Sequence, residues 1–232
     1  MLCGGICQRR FLRCACSMKI KLVILFFCNL TIEYNQSSLY NPVKRKKQGG
    51  KPMDGKTREL VKAALFAALA CVATMVIKIP SPLGGYLNLG DCVVLAAGWL
   101  LAPGYGFLAA GIGSALADVF SGYIVYAPAT FLIKGLMALI AFFGGRALRG
   151  KLGELGAEIL SGAAAELWMV AGYYVFEGFV YGFAPSAVNI PANGVQGAAG
   201  LILGVLLVIL AVVLAVEGIS TLSKQAKAKA AK

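Results

Sequence analysis

Between Glu177 and Glu217 the chain carries no Asp, Glu, Lys or Arg, and shorter charge-free apolar runs recur back to about residue 60. A soluble domain must cover its core with a polar skin, and runs of this length leave nothing to make one. The solvent for most of this chain is therefore lipid. Composition agrees, since 59% of the residues are hydrophobic and 14% charged, where a soluble domain has about a quarter charged. The formal net charge of +12 suggests nucleic acid until its location is traced. Ten of the 22 basic residues precede Met53, against one acid, Glu33. From Met53 onward twelve basic side chains face nine acidic ones, a net of +3, and no basic patch is left for a nucleic acid to bind.

The segment 1–52 is different in character. Cys3, Cys7, Cys14, Cys16 and Cys28 crowd into it without the second paired cluster or the histidine that a zinc site needs. Met18 to Leu30 has the basic start and short apolar run of a signal peptide but no small-residue cleavage site. Gln48-Gly49-Gly50-Lys51 is compatible with a purine-rich, ribosome-binding-like run just upstream of Met53. The expectation is a misassigned or disordered extension over 1–52, a membrane domain over 53–222, and a basic cytoplasmic tail over 223–232.

Six apolar segments follow Met53: Leu60 to Ile79, Cys92 to Leu101, Tyr105 to Phe120, Ala129 to Phe143, Ile159 to Phe179 and Val195 to Val216, separated by Gly/Pro-rich turns. They predict an all-α integral membrane protein of six transmembrane helices. The second and third fall short of the roughly 20 residues that cross hydrocarbon unaided, so they must lean on neighbours. Lys56, Arg58 and Lys62 precede the first segment, Arg146, Arg149 and Lys151 follow the fourth, and Lys224, Lys227, Lys229 and Lys232 follow the sixth. Even numbers of spans separate these clusters, so all three can lie in the cytoplasm with both termini inside. The connections rich in Tyr, Asn, Ser and Pro (Pro80 to Gly90, Ser121 to Pro128, Tyr181 to Asn193) then fall outside, with a Pro103-Gly104 turn and the basic segment Gly144 to Gly156 inside.

Ionisable side chains within spans are costly and mark either a site or a structural pair. Asp118, Lys134, Glu166 and Glu177 qualify. Glu166, Val170, Tyr173 and Glu177 share one helix face, a plausible pocket wall. Asn189, Asn193 and Gln196 share another at the entrance to the sixth segment, and their amides offer both donors and acceptors to a heterocycle. Bland readings stand beside these. Asp118 and Lys134 can pair with each other, Asp91 can cap the second segment, and Trp168 can face lipid. Small residues at Ala63, Ala64, Ala67 and Ala68 allow another helix to approach closely, within the chain or from a partner.

Chemistry is scarce. Gly145 to Lys151 matches GxxxxGK, but Leu152 replaces the Ser/Thr that would hold magnesium and no strand precedes it. The chain has no histidine, hence no Ser/His/Asp triad and no HExxH motif. The expectation is a protein that binds or conducts, with no catalytic residue, no metal and no cofactor of its own.

Gly85-Tyr-Leu-Asn-Leu-Gly-Asp91, Ala115-Leu-Ala-Asp-Val-Phe-Ser-Gly-Tyr123 running into Ala127-Pro-Ala-Thr-Phe-Leu-Ile-Lys-Gly135, and Ile190-Pro-Ala-Asn-Gly-Val-Gln196 resemble the substrate-binding S components of energy-coupling factor (ECF) vitamin transporters, in the riboflavin-type or hydroxymethylpyrimidine-type branch. The resemblance covers nearly all of Met53 to Val216. It implies a six-helix fold in a bacterial plasma membrane that captures a vitamin or precursor (riboflavin, hydroxymethylpyrimidine or pyridoxine-like) at its outer side, with a T component and two ATPases, which use the ATP, completing the importer. It also implies that Asn88, Asp118, Tyr123, Lys134, Glu177, Asn193 and Gln196 contact substrate or shape its pocket, and that Ala63, Ala64, Ala67 and Ala68 face the T component. The alternative is a stand-alone transporter using Asp118, Glu166 or Glu177 as a proton relay.

Overall fold

The structure is a computed structural model that describes the backbone of residues 54–230 and the side chains of residues 54–213. The expected extension over 1–52 lies outside the described residues. In chain order the elements are α1 (Gly55–Val76), β1 (Ile79–Pro80), β2 (Tyr86–Leu87), α2 (Gly90–Leu100), α3 (Pro103–Phe120), α4 (Ala127–Tyr181), α5 (Phe183–Ser186), a 3-10 turn (Ala187–Asn189) and α6 (Ile190–Ala230).

The 55 residues of α4 are two helices in one. Gly153 stands at φ 72°, ψ −179° in its middle, a conformation that glycine adopts at little cost and other residues rarely do. The chain reverses there. Thr130 meets Tyr173 and Tyr126 meets Glu177, while a side chain at Gly144 would touch Ser161 and one at Gly172 would touch Ile133. These pairs are centred on Gly153, so the limbs 127–152 and 154–181 run antiparallel. The basic connection expected from Gly144 to Gly156 is thus helical except at one residue, because its Arg, Ala, Leu and Lys are good helix formers. Likewise Pro103, expected in a turn, occupies the first turn of α3, where its missing N–H has no intrahelical partner to lose.

α2 is the centre of the packing. At about 1.5 Å per residue its 11 residues span roughly 16 Å, and all but Cys92 and Leu100 are buried. Around it, α1 turns Ala63, Phe66, Ala70 and Thr74 inward, a three-four-four spacing that makes one face. That face meets α3 so closely that a side chain at Gly113 would overlap the Ala67 carbonyl; glycine is what lets the two backbones approach.

The outer surface is apolar. Leu60, Val72 and Val76 on α1, Leu167 and Phe179 on α4, and Val195, Ile202 and Leu206 on α6 are all more than half exposed. In water such a surface would drive aggregation; in hydrocarbon it is the ordinary boundary of a membrane protein. Trp168 belongs to it, at 39% exposure. Three helical stretches, Gly55–Val76, Ala127–Tyr181 and Phe183–Val213, are long and apolar enough to cross a membrane. The backbone of α6 stays helical to Ala230, through most of the expected tail.

One end of the bundle carries the irregular structure. β1 and β2 form a two-residue antiparallel ribbon, Ile79 opposite Leu87 and Pro80 opposite Tyr86, whose loop is closed by the Ser81 N–H donating to the Gly85 carbonyl at 3.2 Å. This ribbon was not evident from the sequence, where its two strands are too short to show a period.

Candidate functional site

The ribbon loop lies over a cavity lined by Ser81, Gly84, Gly85, Tyr86, Asn88, Asp118, Tyr126, Thr130, Tyr173, Glu177, Asn193 and Gln196. All of these belong to the compact unit Lys47–Leu207. The lining comes from the ribbon, the last turn of α3, both limbs of α4 and the start of α6. Two tiers of hydrogen bonds hold it.

The upper tier ties the loop down. Asn189 Oδ1 accepts from Ser81 Oγ at 2.7 Å and from the Leu83 N–H at 3.3 Å, while its Nδ2 donates to Glu177 Oε2 at 2.9 Å. The other Glu177 oxygen accepts from Tyr126 Oη at 3.4 Å. Tyr86 Oη donates to Asp118 Oδ1 at 2.7 Å. Burial, reinforced by the Asp118 charge, raises the Tyr86 phenol well above its ordinary range. Burial, then Tyr181 and Glu177, do the same for Tyr126. Both phenols therefore stay protonated, as donors to carboxylates.

The lower tier is centred on Asp91, which is fully buried. Its Oδ1 pairs with Lys134 Nζ, and its Oδ2 accepts from Gln196 Nε2 at 2.7 Å. Gln196 Oε1 in turn accepts from the Asn88 N–H at 2.9 Å, joining the floor to the ribbon. Lys134 Nζ also stands 5.4 Å from the Tyr173 ring centroid, a favourable cation–π position. Close by, Glu166 is buried, and neither of its carboxylate oxygens is hydrogen-bonded among the described residues. A side chain at Gly200 would meet Asp91 Cβ at 2.6 Å and Glu166 Oε1 at 2.9 Å, so both acids press on the same turn of α6.

Of the residues expected at the site, Asn88, Asp118, Glu177, Asn193 and Gln196 line the cavity. Tyr123 does not; its ring packs against Tyr86, with centroids 4.8 Å apart. Lys134 lies one tier lower and pairs with Asp91, not with Asp118. The capping reading of Asp91 also fails. It lies inside the first turn of α2, its carboxylate is spent on Lys134 and Gln196, and the first N–H of the helix, that of Gly90, donates instead to Asn88 Oδ1 at 2.8 Å. Tyr173 and Glu177 of the expected wall reach the cavity, whereas Glu166, two turns along the same face, belongs to the lower tier. The sequence pattern does not single out Ser81, Tyr86, Tyr126 and Thr130, which also line the cavity. Only the density of hydroxyl residues in the two connections hinted at them. The four alanines of α1 divide, with Ala63 buried and Ala67 against α3, while Ala64 and Ala68 are exposed.

Comparison with known proteins fits this arrangement. A family model described as "ECF-type riboflavin transporter, S component" matches residues 54–214. A protein of Pyrococcus woesei described as "Uncharacterized protein in gap 3'region" is 36% identical over 136 residues, which cover 57% of this chain and 87% of that protein. The match spans the ribbon, the cavity lining and the apolar helices alike, and the chain belongs to the family of S components of ECF-type transporters, as a multi-pass membrane protein of vitamin uptake.

Proposed function

We propose that this chain captures a small polar heteroaromatic vitamin or precursor from outside the cell, in the cavity beneath the ribbon, and delivers it inward together with a T component and two ATPase subunits. The observation that carries the reading is the cavity itself. Hydroxyl, amide and carboxylate groups from five elements converge at one end of an otherwise apolar bundle, where nothing about folding in lipid calls for them. The two limbs of α4, with α1, α2, α3 and α6, correspond to six spans. Arg146 and Arg149 lie at the end away from the ribbon, which supports the inward placement of basic clusters and an outward cavity. On this reading Ala64 and Ala68, exposed on α1, are available to the T component, and the chain lies in the plasma membrane.

The cavity measures about 30 Å³, room for a water or two and far below the few hundred Å³ of a typical ligand pocket. A ring therefore needs the cavity to widen, and on this reading the 81–85 loop lifts as Asn189 releases Ser81 and Leu83. The direct test is a thermal-shift screen of the purified chain with vitamins. A ligand at 100 times its Kd should stabilise by about 2.7 kcal/mol; no shift with any of them would contradict the reading. Glu166, without a hydrogen-bond partner among the described residues, is what a stand-alone proton-coupled transporter would draw on. That alternative predicts uptake abolished by a protonophore in cells lacking the ATPases.

A further inference from the structure

Resting on the proposed function, and going further to the class of substrate, we propose that the cavity selects a heteroaromatic ring that carries positive charge when bound, over neutral or anionic rings of similar size. Charge balance points to it. Two carboxylates, Asp118 and Glu177, line the cavity, and among the described residues no Lys or Arg does; the chain has no histidine to supply a cation instead. Both acids are at least 95% buried, and Asp118 Oδ2 makes no hydrogen bond among the described residues.

The nearby cations are already committed or lie outside. Lys134 is bound to Asp91 in the lower tier, where Glu166 adds a further carboxylate. Lys78 is exposed at the rim, donating to Ser121 Oγ at 2.8 Å and standing 5.8 Å from the Tyr86 ring centroid. Among the described residues the ammonium of Lys134 is thus the one buried cation near Asp118 and Glu177, and Asp91 already engages it. A ligand carboxylate there would be buried without a counter-ion, at a cost of several kcal/mol, whereas Asp118 and Glu177 can each give up a proton and serve as counter-ion to a cation. A cationic ring would supply the missing charge.

The remaining lining suits such a ring. Tyr86, Tyr126 and Tyr173 line the cavity with the two acids, and Tyr126 is backed by Phe176 at 5.2 Å between centroids. Tyrosine faces attract cations, more strongly once water is excluded. Each carboxylate oxygen has two lone-pair sites, so the oxygens held by Tyr86, Tyr126 and Asn189 can still accept from a ring N–H or amine.

The test is binding of three probes to the purified full chain in lipid nanodiscs: thiamine, with its fixed thiazolium charge; riboflavin, uncharged; and biotin, a carboxylate. Thiamine should bind at least tenfold more tightly than the others. Asp118→Asn and Glu177→Gln should each weaken it by about tenfold or more, and Asn193→Asp, which adds an acid to the same lining, should tighten it. Opposite responses of these variants cannot come from misfolding. Riboflavin or biotin binding as well as thiamine, or affinities insensitive to all three substitutions, would overturn the charge proposal and leave vitamin capture standing. Failure of all three probes would count against both.

Discussion

The two ends of the bundle hold together by different means. Away from the ribbon the helices touch backbone to backbone. A side chain at Gly98 would stand 2.6 Å from the Ala138 carbonyl and one at Gly144 would stand 2.9 Å from Ser161 Cβ, and Trp99 Nε1 donates to Ser161 Oγ at 3.2 Å. At the ribbon end the elements are joined through long polar side chains: Asn189 to the loop, Gln196 to Asn88 and Asp91, Tyr86 to Asp118. Close backbone packing has one arrangement and nothing to exchange. Side-chain hydrogen bonds can be traded for bonds to a ligand at little net loss. On the proposed function, the difference lets one small protein hold its shape in lipid while one end opens to a ligand.

The sharpest way to break this comparison is at Lys134. If it is the strut of the lower tier, Lys134→Ala leaves Asp91 as an uncompensated buried charge and should cost about 3–5 kcal/mol, seen as a collapse of expression and melting temperature. Asp91→Asn in the same chain should recover part of the loss. Full stability with weakened ligand binding would instead make Lys134 a ligand contact, as its sequence position suggested.

A smaller effect is expected in the upper tier. Asn189→Ala should cost about 1–3 kcal/mol and free the loop. Amide hydrogen exchange would rise at residues 81–85 and stay unchanged in α2. Equal acceleration in both would mean that the tiers open as one unit.

Smallest of all is Ala64→Leu. The site is exposed on the lipid-facing side of α1, so stability should change by no more than about 0.5 kcal/mol and ligand binding not at all. Co-purification with the T component and ATP-driven uptake should fall. Unchanged uptake would remove α1 as the docking face.

Much of this was legible in the sequence because lipid simplifies the problem. Apolar length marks helices, and an ionisable residue in a span marks a place where the fold or its function needs it. The four- and three-residue spacing of Asn189, Asn193 and Gln196 identified a shared face before any neighbour was known. What periodicity cannot give is the neighbour. Lys134 had two acids within reach along the chain, Asp91 and Asp118, and the crossing of α2 with the first limb of α4 decides between them. Tyr86 and Tyr126 were missed for a related reason: they lie in connections, where no repeat shows which way a side chain turns. Gly153 shows the same limit, since its neighbours are good helix formers and only its positive φ marks the reversal.

The central claim is that the ribbon end holds a small molecule and that Asn189 governs its access. Native mass spectrometry of the chain released from membranes tests it most directly. The account predicts one heteroaromatic molecule bound per chain, retained by Ala64→Leu and lost from Asn189→Ala. A chain that carries no small molecule from any membrane source, or one that Asn189→Ala holds as firmly as the parent, would contradict it.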